Sequence, residues 1–208
     1  MNKSKLTSCI RRITTLLFTM IIAFNPHSVM ASEESKALYP AAPGTYRHWL
    51  GGTTETAKIG KVDETGCNTS WLFDDNIYVT STYNPTNRQS FALDIHSSLP
   101  QPIEVGDVIT KIEIYPCAGI HSSSPQTFPS ELRVFYIWKS DLFDYFPTMQ
   151  FSGTYIVNSK VSTNLPVAVF SGLSNTVHTG SKLEIGVENL AGLTKLSAIR
   201  AVVYWTNN

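Results

Sequence analysis

Val105–Cys117 reads V-G-D-V-I-T-K-I-E-I-Y-P-C, and the fold class is decided there. Gly106-Asp107 marks a turn, and β-branched residues dominate from Val108 on. Val108, Ile112 and Ile114 fall on one face. Ile109, Lys111, Glu113 and Tyr115 fall on the other. Side chains of a strand alternate between the two sides of a sheet, so this period of two predicts a half-buried strand. Pro116 removes a ladder donor and ends it. Cys117 follows, and its one plausible partner is Cys67.

Working outward, Leu132–Lys139 is apolar on both faces. Leu132, Val134, Tyr136 and Trp138 lie on one, Phe135 and Ile137 on the other, as in a central strand covered on both sides. Leu183, Ile185 and Val187 alternate with Glu184, Gly186 and Glu188, which predicts a strand wet on one side. In Leu196–Thr206, the set Ile199, Ala201, Val203 and Trp205 opposes Ala198, Arg200, Val202 and Tyr204. Ser70–Ser81, Gln89–His96, Gln150–Val157 and Pro166–Phe170 are further strand candidates. Turn-rich connections separate them, such as Asn84–Asn87, Ala118–Ser130 and Gly172–Gly180. About eight strands without a long amphipathic helix predict an all-β protein. The expected form is an antiparallel, jelly-roll-like β-sandwich, with a closed barrel as second choice.

Residues 1–31 read as a secretory signal peptide. Lys3, Lys5, Arg11 and Arg12 form a basic start, Ile13–Phe24 is uncharged, and Val29-Met30-Ala31 precedes the expected cleavage point. The uncharged run is too short for a spanning helix, which needs about 20 residues. Residues 32–65 hold Pro40, Pro43, Gly44, Gly51 and Gly52 without sustained periodicity, so an irregular N-terminal segment is expected there. Its aromatics Tyr39, Tyr46, His48 and Trp49 argue against disorder, and Tyr46–Leu50 is expected to dock on the sandwich as an edge strand. Residues 66–208 are assigned to the β-sandwich domain.

Four of the 16 basic residues lie in the leader, and all 16 acidic ones follow it. The exported part thus has 12 basic residues and a net charge near −4. It has no basic cluster that would suit nucleic acid, and no feature for membrane insertion once the leader is removed. Cys9 falls in the leader, and Cys67 and Cys117, the two cysteines that remain in a chain bound for an oxidising compartment, are expected to form a disulfide. Closing so long a loop stabilises by about 4 kcal/mol on chain-entropy grounds.

The chemistry-bearing residues form no local signature. His48, His96, His121 and His178 are scattered, without zinc-ligand spacing. There is no G-x-S-x-G elbow, phosphate loop or C-x-x-C. Asp63, Glu64, Asp74 and Asp75 flank Cys67 and are the candidates for a structural calcium ion, the one cofactor considered. Glu113, Glu131, Asp141, Asp144, Glu184 and Glu188 are the carboxylates a glycoside hydrolase would draw on.

Phe143, Asp144, Tyr145 and Phe146 crowd a short connection that could stack on sugars or anchor a protein, or fold back to plug the sandwich. The reading is a secreted or periplasmic, non-catalytic binding module whose partner is a glycan or protein surface met through loops. A secreted polysaccharide hydrolase and a structural envelope or matrix subunit are the alternatives.

Overall fold

A computed structural model describes residues 32–51, 54–59, 62, 67, 79–81, 86–97, 101–121, 129–141 and 147–207. Ser32–Asn208 forms one compact unit. Its strands are β1 (Glu33–Leu38), β2 (Pro40–Arg47), β3 (Val79–Thr80), β4 (Arg88–Leu93), β5 (Val108–Ile120) and β6 (Ser130–Lys139). They continue as β7 (Thr148–Phe151), β8 (Tyr155–Val157), β9 (Thr163–Asn164), β10 (Ala168–Thr176), β11 (Lys182–Ala191) and β12 (Thr194–Thr206). One short helix, α1 (Glu55–Ile59), lies between β2 and β3.

The strands form two antiparallel sheets. Sheet A has the order β1-β12-β5-β10, with β3 and β9 attached to β12 and β5. Sheet B has the order β2-β4-β11-β6-β7, with β8 attached to β6. The pairings nest: β1 with β12, β4 with β11, β5 with β10, β6 with β7. That is the connectivity of one long hairpin rolled over on itself, the jelly-roll arrangement expected from the sequence. The eight nested strands are joined by β2, β3, β8 and β9.

Between the sheets lies the hydrophobic core. Ile109, Ile112, Ile114, Ile199, Ala201, Val203 and Trp205 of sheet A meet Leu132, Val134, Tyr136, Leu183, Ile185 and Val187 of sheet B. Tyr136 and Phe170 interlock across the layers edge to face, with ring centroids 5.0 Å apart. The disulfide forms between Cys67 and Cys117, whose Cα atoms lie 5.5 Å apart.

Two expectations are corrected. Ile109 was expected on the face of Lys111, but it is fully buried in the core. The β5–β12 pairing runs Lys111↔Tyr204 and then Ile109↔Trp205, so Thr110 is an extra residue without an opposite number. Such a bulge breaks the period of two and sends residues on either side of it to opposite faces. Thr110 Oγ1 is held there by Glu33 Oε1 at 2.8 Å and Tyr204 O at 3.3 Å.

The N-terminal segment, expected to be irregular over 32–65, supplies β1 and β2. Pro40 and Pro43 are tolerated in β2 because it is an edge strand, where an absent N–H can face away from the sheet. The edge strand expected at Tyr46–Leu50 lies mainly earlier, at Pro40–Arg47, with Leu50 in an isolated bridge to Thr80.

Candidate functional site

The two sheets have outer faces that begin from similar sequence patterns. On sheet B, β11 turns Glu184, Gly186 and Glu188 outward. They were expected to be wet, yet Glu188 is fully buried and Glu184 is only 4% exposed. The cause is β2. Its pairing with β4 jumps from Pro43↔Phe91 to Arg47↔Gln89, so Gly44-Thr45-Tyr46 bulges across the sheet. Gly44 is needed for that close approach: a Cβ there would lie 2.2 Å from Ser90 Oγ and 2.7 Å from Glu184 Oε2.

Under this strap Glu184 accepts from Thr45 N (2.7 Å), Thr45 Oγ1 (2.7 Å), Ser90 Oγ (2.8 Å) and Lys139 Nζ (3.2 Å). Burial alone would raise its pKa, but these donors outweigh burial and hold it below the usual carboxylate range. Glu188 is clamped by Arg88 Nε at 2.7 Å and by Arg133 Nε. Both guanidinium groups lie on the Phe151 ring, at 5.2 and 3.9 Å from its centroid. Tyr46 stands edge-on to Phe135 at 5.9 Å, which covers the second apolar face expected for β6. Glu184, Glu188, Arg88, Arg133 and Lys139 are all paired on this face, and the two glutamates carry structure.

Sheet A is different. Around the middle of β5 and β12 its outer face has no covering strand among the described residues. Registers place Lys111 opposite Tyr204, Glu113 opposite Val202 and Tyr115 opposite Arg200. On one flank Ser171 and Val169 of β10 extend these rows, and on the other Ser35 and Ala37 of β1 do. Opposite residues sit about 5 Å apart and successive rows about 7 Å apart, the scale of a sugar ring. Val169 is 56% exposed, and the six central side chains are partly exposed.

Further along, Lys160–Ser162 crosses the sheet at Gly119, where a Cβ would meet Ser162 N at 3.1 Å and Lys160 O at 3.2 Å. That crossing bounds the bare region at one end.

Glu113 organises this face. Its Oε2 accepts from the hydroxyls of Tyr115 (2.8 Å) and Tyr204 (3.1 Å), and its Oε1 lies 3.3 Å from Lys111 Nζ. The Tyr115 hydrogen bond leads in holding the Glu113 pKa below its ordinary value, and the same bond pushes the Tyr115 hydroxyl up. Slight desolvation works against the Lys111 charge, but Glu113 carries its pKa above the ordinary lysine value. Lys111 Nζ sits 3.5 Å from the Tyr204 ring centroid, and the Arg200 guanidinium carbon lies 4.4 Å from that of Tyr115. Two tyrosines are thus held at both ends, by hydroxyl and by ring, on the two central strands of the sheet.

The predicted site residues meet a different outcome. Phe143, Asp144, Tyr145 and Phe146, and the calcium candidates Asp63, Glu64, Asp74 and Asp75, lie outside the described residues, as do residues 1–31, where a leader is expected. Among the described residues no group of three or more metal-ligating side chains converges. Glu184 and Glu188, two of the hydrolase candidates, are four residues apart on one strand. Their spacing of about 13 Å exceeds the two-carboxylate separation such chemistry uses.

The alternation of Lys111-Glu113-Tyr115 and of Arg200-Val202-Tyr204 was visible in the sequence. Its meaning as one surface needed the pairing of strands far apart in the chain. No protein-family model and no curated protein sequence matches the chain. Among solved structures, it is similar to one titled xylan-binding module CBM15, with a TM-score of 0.37 and 11% identity. The match covers 86% of this chain and 99% of that one.

Proposed function

We propose that this protein is a secreted or periplasmic, non-catalytic glycan-binding module, and that the bare outer face of sheet A is its binding surface. The observation that carries this reading is the pair Tyr115 and Tyr204. They are partly exposed on paired rigid strands, and their hydroxyls converge on one carboxylate. Aromatic side chains supply large contact area at small entropic cost, and binding energy concentrates on such anchors. Glu113, Lys111, Arg200 and Ser171 surround them with donors and acceptors that can orient sugar hydroxyls. The disulfide suits an oxidising compartment.

A face built on strands keeps its shape without a ligand, so little ordering cost accompanies binding. The chemistry is recognition alone: Glu113 is occupied by two phenols and an ammonium, and it serves as the fixed point of the surface.

Glycan-array binding followed by titration calorimetry tests this. Tyr115→Ala and Tyr204→Ala are each expected to weaken the best ligand about tenfold or more. Replacing Phe143, Tyr145 and Phe146 together with Ala is expected to leave affinity unchanged. The reverse pattern would move the site to the loop between β6 and β7.

A further inference from the structure

We infer that the ligand of this face is an anionic glycan, one carrying uronate carboxylates, with Arg200 as the group that selects it. The inference rests on the glycan-binding reading and adds the ligand's charge.

It follows from an imbalance on the surface. Glu113 is internally satisfied: two hydroxyls share one oxygen and Lys111 faces the other. Lys111 is therefore already committed. Arg200 has no carboxylate partner among the described residues, and its contact there is the Tyr115 ring. Its counterparts on the other sheet, Arg88 and Arg133, are both spent on Glu188.

A guanidinium laid on an aromatic ring keeps its charge and loses much of its rotational freedom. Its N–H edge is then left to take a carboxylate through two parallel hydrogen bonds. Lys111 and Arg200 are offset by Glu113 and by Glu33 of β1, which also acts on Lys111, so these four groups carry no net charge, and the exported chain is net acidic. Long-range attraction for dense polyanions is thus missing. Selection comes from one close contact, which favours spaced carboxylates on a sugar backbone over phosphate polymers or lipid surfaces. The neighbouring Val202, Val169 and Ala37 offer an apolar floor for the carbon face of the pyranose.

The test compares short oligouronates with their carboxyl-reduced neutral counterparts and with sulfated oligosaccharides, by calorimetry at two salt concentrations. Wild type is expected to bind the oligouronate about tenfold or more tighter than the reduced form, less so at high salt. Arg200→Met should erase that preference while leaving the weak binding of the reduced form. Arg200→Lys, which keeps the charge and loses the fork, should fall between. Sulfated ligands bound as tightly as uronates, with equal loss in both Arg200 variants, would overturn the carboxylate assignment.

Equal affinity for acid and reduced forms, with Tyr115→Ala and Tyr204→Ala still weakening both, would overturn the inference and leave the glycan-binding reading standing. Binding of no glycan at all would overturn both. Arg200 is partly exposed, so its variants are expected to fold, and matching near-ultraviolet dichroism checks that they do.

Discussion

β5 and β11 carry closely similar patterns: K-I-E-I-Y over Lys111–Tyr115 in one, L-E-I-G-V-E over Leu183–Glu188 in the other. Each alternates aliphatic residues with charged or small ones, and each lies centrally in its sheet. Their outer faces end in opposite states. Over β11 the bulge of β2 closes down, and Glu184 and Glu188 become buried, fully paired supports. Over the middle of β5 nothing among the described residues closes down, and Lys111, Glu113 and Tyr115 stay partly exposed. Charged residues on a strand therefore acquire their role from the neighbour that covers them, and Gly44 is the device that brings that neighbour close.

The sharpest way to break the comparison is to unpair the covered face. Glu188→Gln takes the buried carboxylate from the partly exposed Arg88 and Arg133, and a loss of about 2–3 kcal/mol in denaturant unfolding is expected, below that for a fully buried pair. A loss below 1 kcal/mol would show that the face is more solvated than its burial implies. Next, Gly44→Ala should lift the β2 strap off Ser90, costing about 1–3 kcal/mol and raising amide exchange at Thr45 and Tyr46. Neither change is expected to alter ligand binding on sheet A.

A smaller effect concerns pH. Glu184 titrates lower in the folded protein than in the unfolded chain, whose glutamates titrate near about 4.3. Its carboxylate stabilises the fold above that value, and the contribution is lost as pH falls through the folded-state pKa. Glu184→Gln should therefore be less stable than wild type at neutral pH, with a flatter acid limb of melting temperature. An acid limb as steep as that of wild type would remove Glu184 from this role. On sheet A the expected stability effects are the smallest. Tyr204→Phe deletes one donor from a partly exposed carboxylate and should cost no more than about 1 kcal/mol. Glu113 should then titrate higher, a shift that carbon-detected NMR of its carboxyl reads directly.

Much of this fold was legible, because hydrophobic periodicity reports burial on one side of a strand. The two-layer β architecture, the β6 strand apolar on both faces and the Cys67–Cys117 bond all follow from local pattern or cysteine count. Two things did not. Ile109 was misassigned because a bulge at Thr110 is a property of the β5–β12 pairing, and nothing in T-K-I-E announces it. Strand β2 was masked by Pro40, Pro43 and Gly44, which an edge position and a close crossing tolerate, and β1, E-E-S-K-A-L, lacks the β-branched alternation that marks a strand.

The candidate surface was half legible. Its two rows, Lys111-Glu113-Tyr115 and Arg200-Val202-Tyr204, were each read as the face of a strand. Their union depends on β12 returning beside β5, from about ninety residues away, once the hairpin has rolled up. Glu184 and Glu188, by contrast, read as solvent-facing because a strap from a distant segment leaves no trace in the strand it covers.

The contrast between the two faces is tested most directly by mapping amide chemical-shift changes on the labelled protein as a glycan ligand is added. Shifts are expected to concentrate on Lys111–Tyr115 and Arg200–Tyr204 and to leave β4 and β11 unmoved. A map centred on Arg88, Glu184 and Glu188, or on the connection between β6 and β7, with β5 and β12 silent, would contradict it.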